Sequence, residues 1–207
     1  HKLEKKGQEI YKFGLGQSPF PVPQIIVEEL KKNAQQKNYI NVSGLIELRN
    51  LVAQYHTIKN KNNYTADNVI IGPGSKELIF LTQLVLDCDV LLPSPSWVSY
   101  EPQAQILNKK IHWIKTDATT NWHITPDDLD KMSQDLHQVE KLLILNSPNN
   151  PSGTTHNNLE ALALIAKKNN IIVLSDEIYA ELDFSGKYKS LSHYYPEGTI
   201  ISSGLSK

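Results

Sequence analysis

Five short strings in this 207-residue chain hold side chains suited to gripping a small molecule and reacting with it. In "GPGSKE", Gly74 precedes Ser75 and Lys76. Glycines ahead of a helix let the backbone approach an anion, and free N–H groups with the helix dipole favour negative charge, so a phosphate suits the position. The same string also reads as a plain helix start capped by Ser75. "SPSWVSY" places the ring of Trp97 after an apolar run. In "NSPNNPSG", Pro148 and Pro151 stiffen a turn around Asn150, whose amide can donate to a phenolate oxygen and accept elsewhere; an ordinary turn is the alternative. "SDEIY" sets Asp176 and Tyr179 three residues apart, so both can face one ligand if a strand runs into a helical turn there. A plain structural acid would fit Asp176 equally. Finally, "TIISSGLSK" ends on the primary amine of Lys207. Ile200 and Ile201 read as a short buried strand, with Ser202, Ser203 and Gly204 turning the backbone beyond it. Lys207 then either points into a crevice or is a hydrophilic tail residue.

The elements that would position these groups follow from hydrophobic period. The start, "YKFGLGQSPFPVPQ", with Gly14, Gly16, Pro19, Pro21 and Pro23, reads as an extended arm. "QIIVEELKKNAQQ" and "GLIELRNLVAQYHTIKN" carry apolar residues at three- and four-residue spacing, as amphipathic helices do. From residue 69, short apolar runs alternate with helical segments: strands at "NVIIG", "DVLLPSPS", "KIHWIK", "KLLILNSP", "IIVLSDEIY" and "TIISSGLSK", each but the last followed by a helix or turn. Alternation of this kind predicts an open α/β fold, a mainly parallel sheet with helices on both faces. We expect an N-terminal arm and first helix over residues 1–45 and the sheet domain over 46–207. In such sheets the loops at the carboxyl ends of the strands form the binding crevice, and the five strings fall there.

Composition narrows the function. Lys and Arg total 21 against 22 Asp and Glu, a net charge of −1, so no long-range field recruits nucleic acid or an anionic membrane. Arg49 is the only arginine, placed at a helical surface or interface position, and the usual bidentate clamp for a carboxylate is therefore missing. The lone Cys88 excludes an internal disulfide and reads as a buried spectator. No apolar run approaches membrane-spanning length, and the cytoplasm is the expected compartment.

In order and at comparable intervals, "SPSWVSY", "NSPNNPSG", "SDEIY" and "SGLSK" closely resemble the class I pyridoxal-phosphate-dependent aminotransferases, above all the aspartate aminotransferase branch. "GQSPFPVP" and "YINVSGLIELR" agree more loosely, so the likeness runs from about Gly16 to Lys207. The resemblance implies pyridoxal 5'-phosphate as cofactor, held covalently by Lys207, which would also move the substrate proton. It implies that Asp176 pairs with the protonated pyridine nitrogen, that Tyr179 and Asn150 bond the phenolic oxygen, and that Trp97 stacks on the ring. Gly74, Ser75 and Lys76 would hold the phosphate, with Ser206 assisting and Tyr39 reaching the cofactor of a second copy across a homodimer. Gly16, Trp97 and Asn150 would touch the substrate, an amino acid of aspartate or aromatic type exchanging its amino group with a 2-oxo acid such as 2-oxoglutarate. No metal is implied.

Two departures accompany this. Gly204 stands where many relatives carry a phosphate-binding serine, which Ser206 or Ser203 would have to replace. The family also continues past its lysine with further arginines and a small C-terminal domain, so the end at Lys207 is expected to be a truncation, and these 207 residues alone are expected to be inactive. A carbon–sulfur lyase of the same fold is the enzymatic alternative. An effector domain of a transcription regulator would need a DNA-binding module and a basic patch ahead of it. Metal hydrolysis, raised by seven histidines, is set aside because none shows the HExxH spacing and they read as satisfied surface or core residues.

Overall fold

The computed structural model describes residues 3–11, 16, 18, 20–136 and 139–207; Gly14 and Pro19 of the expected arm lie outside the described residues. The chain divides into two compact units, His1–Tyr39 together with Lys207, and Ile40–Ser206.

In the first unit, helix α1 (Gln24–Asn33) follows Pro23 and carries Glu28–Lys31 and Glu29–Lys32 ion pairs at 3.1 and 3.0 Å. Its apolar residues Ile25, Ile26 and Leu30 are exposed. The amphipathic period therefore produces the helix without burying its stripe among the described residues.

The second unit begins with α2 (Ile46–Asn60), entered through Gly44 at φ +104°, where a Cβ would lie 2.6 Å from that of Ile71. Then come α3 (Ser75–Val85), β1 (Asp89–Ser94), α4 (Tyr100–Ile106), β2 (Ile111–Lys115), α5 (Pro126–Asp135), β3 (Lys141–Asn146), α6 (Leu159–Lys168), β4 (Ile171–Asp176) and β5 (Thr199–Ser202). The five strands are parallel in the order β2-β1-β3-β4-β5, so the winding reverses between β1 and β3. This is the expected α/β sheet, and its alternate residues feed two cores. Val90, Leu92, Leu142, Ile144 and Leu174 meet Ile79 of α3 and Tyr100 and Ala104 of α4. On the other face, Leu91, Leu143, Leu145 and Val173 meet Leu129 of α5 and Leu162, Ala163 and Ala166 of α6. Each fully buried leucine contributes roughly 1.5–3 kcal/mol. Helix α5 starts where Thr125 and Asp128 cap each other reciprocally with Pro126 at the first position, worth about 1 kcal/mol.

Several expectations need correcting. Val69–Ile71 form no strand among the described residues; the Ile71 N–H donates to Ser43 O at 2.9 Å. β-Branching favours an extended backbone, but a strand also needs a ladder partner, and none is supplied there. β5 is an edge strand, so Ile200 is 39% exposed, and Ser202 lies inside the strand rather than in the turn beyond it. Arg49 is not an exposed surface residue. Its guanidinium is buried and donates to Ala66 O (2.7 and 3.1 Å) and Val69 O (2.9 Å), pinning the segment before α3. Cys88 is buried and unpaired, and burial raises its thiol pKa.

Candidate active site

The carboxyl edge of the sheet gathers the side chains of three strand ends. Asp176 closes β4, is 3% exposed, and accepts hydrogen bonds from the Tyr100 hydroxyl (2.5 Å) and the Ile178 amide (3.3 Å). Burial outweighs these bonds and raises its carboxyl above the ordinary aspartate range. The Tyr100 phenol is likewise raised, first by burial and then by Asp176. From the end of β3, Asn146 donates to the Asp176 carbonyl (2.9 Å) and accepts from the Asn150 N–H (2.7 Å). Asn150 in turn donates through its own amide to the Tyr179 hydroxyl at 3.3 Å. One relay of side-chain and backbone bonds thus connects the acid of β4, the asparagine after β3 and the tyrosine three residues beyond the acid.

The loop after β1 adds the aromatic group. Trp97, half-buried, meets Tyr100 edge-on at 5.3 Å, and the Lys76 ammonium sits 5.1 Å from the centre of the Trp97 ring. Gln103 of α4 donates to Lys76 O (2.8 Å) and is itself held by Gln83 of α3 (3.1 Å), so buried glutamines fix the start of α3 against the Trp97 loop. The cap of α3 is Gly74 and not Ser75. Gly74 takes φ +122°, which L side chains rarely adopt, and with no side chain it leaves the first-turn N–H groups without a side-chain cap.

The remaining expected residues fall as follows. Ser206 is exposed. Lys207, Gly16 and Tyr39 belong to the first unit, where the Lys207 ammonium donates to Gly16 O at 2.8 Å and Tyr39 is fully exposed. Tyr100, Asn146 and Ser202 were not singled out in the sequence. Tyr100 follows Trp97 by three residues at a helix start, a spacing that could have marked it. Two histidines are also not scattered: His123 and His156 stack at 4.6 Å in a buried pair, and His123 Nε2 has no hydrogen-bond partner among the described residues.

The fold defines an open, doubly wound parallel α/β domain, and the Asp176, Asn146 and Trp97 side chains stand at the carboxyl edge of its sheet. The model of the family "Aminotransferase class I and II" matches residues 8–207, and the chain belongs to that family. It is 30% identical to an aspartate aminotransferase of Bacillus subtilis over the whole chain and 54% of that relative. It is 29% identical to an asparagine–oxo-acid transaminase of Streptococcus mutans over 99% of the chain and 54% of the relative. An aspartate aminotransferase of Thermus thermophilus, solved with maleate, superposes with a TM-score of 0.90 at 28% identity, covering all of this chain and 55% of that one. The chain thus spans about half the length of the curated relatives it matches.

Membership brings pyridoxal 5'-phosphate as the cofactor. The residues present suit it: a buried carboxyl able to face a ring N–H, an amide–phenol pair for a ring oxygen, an indole face, and a helix start without a side-chain cap for a phosphate. One buried hydroxyl beside the carboxyl, Ser202 Oγ, is also without a partner among the described residues.

Proposed function

We propose that the complete protein is a pyridoxal-phosphate-dependent aminotransferase that moves an amino group from an amino acid to a 2-oxo acid such as 2-oxoglutarate. Aspartate is the favoured donor, since the relatives above are named for aspartate and asparagine; an aromatic donor is the second choice. When bound, the cofactor supplies a conjugated pyridinium that accepts the electron pair left by a departing substrate Cα proton.

The chain's own groups would divide the work. Lys207 would hold the cofactor covalently and would take and return the substrate Cα proton. Asp176, ionised opposite a protonated ring nitrogen, holds that nitrogen charged; the opposite charge reverses the upward push that burial alone gives its pKa. Asn150 and Tyr179 bond the ring oxygen, and Trp97 covers the ring. Gly74, Ser75 and Lys76 hold the phosphate at the start of α3, with Ser206 as an additional donor. Gly16, Trp97 and Asn150 orient the substrate carboxylate. Residues 46–207 would be the cofactor domain, and Tyr39 would serve a second, identical subunit. No helix among the described residues is long and apolar enough to cross a membrane, and we place the enzyme in the cytoplasm.

The observation that carries this reading is the buried Asp176 tied by hydrogen bonds to Tyr100 at the start of α4 and to Asn146 at the end of β3. The test is to titrate the complete protein with pyridoxal 5'-phosphate, follow the visible absorbance, and ask which amino acid bleaches it. Aspartate should do so, and Lys207→Ala should abolish the protein-bound band. A band that survives in Lys207→Ala refutes the assignment.

A further inference from the structure

Ser202 closes β5, a strand of sequence Thr-Ile-Ile-Ser whose other hydroxyl, on Thr199, donates to Tyr195 O at 2.6 Å. Ser202 is 4% exposed, and its Oγ has no hydrogen-bond partner among the described residues. Buried hydroxyls almost always find partners, because leaving one unpaired is destabilising, and a small apolar residue would suit this strand end at no such cost.

Its place in the sheet says what the hydroxyl is for. Ser202 is the register partner of Asp176 across the parallel β4–β5 pair. Paired residues of parallel neighbours project to the same face, and the strands lie about 4.8 Å apart. Ser202 Oγ is therefore within one side-chain rotation of the Asp176 carboxyl. The backbone holds that alignment, since Glu177 N–H donates to Ser202 O at 2.8 Å. The carboxylate has room for a further donor: it has about four lone-pair sites, and the Tyr100 hydroxyl and the Ile178 amide occupy one on each oxygen.

We propose that Ser202 is a positioning residue for Asp176, its hydroxyl swinging to donate a hydrogen bond to the carboxylate when a cationic ring nitrogen docks against it. A hydroxyl suits this task because it reorients without moving the backbone and adds no charge. In the loaded site it would fix the carboxylate in its ionised, ring-facing orientation. The proposal rests on the reading of Asp176 as the partner of the ring nitrogen, and its test separates the two.

Ser202→Ala, Asp176→Asn and the double variant are made in the complete protein. Each is titrated with pyridoxal 5'-phosphate by absorbance, melted without cofactor, and scanned for the pH dependence of the bound band. Ser202→Ala should raise the cofactor-free Tm by a few degrees and weaken cofactor binding roughly tenfold, the worth of one hydrogen bond to a charged group. It should also shift the pH at which the bound band changes. In the Asp176→Asn background the same substitution should alter binding by less than about twofold, because the negative charge that the hydroxyl serves is gone. An unchanged affinity, a lowered cofactor-free Tm, or an equal loss in both backgrounds overturns the role of Ser202. An Asp176→Asn single variant that binds cofactor as tightly as the parent overturns the underlying reading instead.

Discussion

Asp176 closes β4 and Glu177 follows it directly, each 3% exposed, and their side chains turn to different partners. Burial raises the carboxyl pKa of both. They differ in how fully their oxygens are used. Glu177 accepts from the hydroxyls of Ser175 (2.8 Å), Ser190 and Tyr188, a closed set that ties β4 to the segment before β5. Asp176 accepts from one phenol and one amide, and the hydroxyl of its register partner Ser202 has no hydrogen-bond partner among the described residues. Equal burial thus accompanies two kinds of acid: one saturated by its own chain, the other with acceptor capacity left for a ligand.

The sharpest way to break this distinction is to neutralise each acid in turn. Asp176→Asn keeps an acceptor for Tyr100, so the fold should stay within about 1 kcal/mol of the parent. Amino transfer by the complete protein should fall roughly 1,000-fold, about 4 kcal/mol of transition-state stabilisation. Glu177→Ala should do the reverse. It strands three hydroxyls in the interior and should cost about 3 kcal/mol in urea unfolding, while the affinity of the folded protein for pyridoxal phosphate stays within about twofold. If the two variants exchange phenotypes, the contrast between them fails.

That contrast was only half legible in the sequence. "SDEIY" marks Asp176 through its spacing from Tyr179, and the alternation of apolar runs with helical segments predicts six strands, of which five form, in a parallel sheet with helices on both faces. Spacing along one chain cannot show which hydroxyls come from elsewhere. Tyr188 and Ser190 reach Glu177 from the loop before β5, and Tyr100 reaches Asp176 from α4, 76 residues away. The same limit explains the errors. Val69–Ile71 have strand composition and lack a neighbour, and Ser202, read as a turn residue, is held in the ladder by its pairing with β4.

A buried base extends the comparison to the other side of the sheet's edge. His156 is saturated in the manner of Glu177. Its Nδ1 accepts from the Asn158 N–H (3.2 Å), which assigns the proton to Nε2, and that donates to Ile124 O (3.1 Å). Burial, then the neighbouring His123, lowers its pKa to about 4 from the ordinary 6.5. A folded pKa below the unfolded one means that the unfolded chain takes up the proton first. The stabilisation is whole above pH ~6.5 and is lost as pH falls toward ~4, on the order of 3 kcal/mol in all. Unfolding free energies of the parent and His156→Gln, measured from pH 7.5 down to 4, should therefore converge by about that amount. A constant difference would mean that the ring has the same proton affinity in the folded and unfolded chain.

The smallest expected effect tests the unsaturated acid from the opposite direction. Tyr100→Phe keeps the ring that packs against Val90, Leu92 and Ile144 and removes only the hydroxyl on Asp176 Oδ2. Stability should fall by no more than about 1 kcal/mol, since the lost bond is partly offset by no longer burying a phenol. The hydrogen bond from Tyr100 lowers the Asp176 pKa against the upward pull of burial. Without it the carboxyl holds its proton to higher pH, so the pH at which cofactor binding reaches half its maximum should move upward. The affinity at neutral pH should drop by roughly threefold to tenfold. The direction of that shift is the decisive measurement. A downward shift would mean that the phenol does not serve the ionised carboxylate in the loaded site, against the role assigned to Asp176.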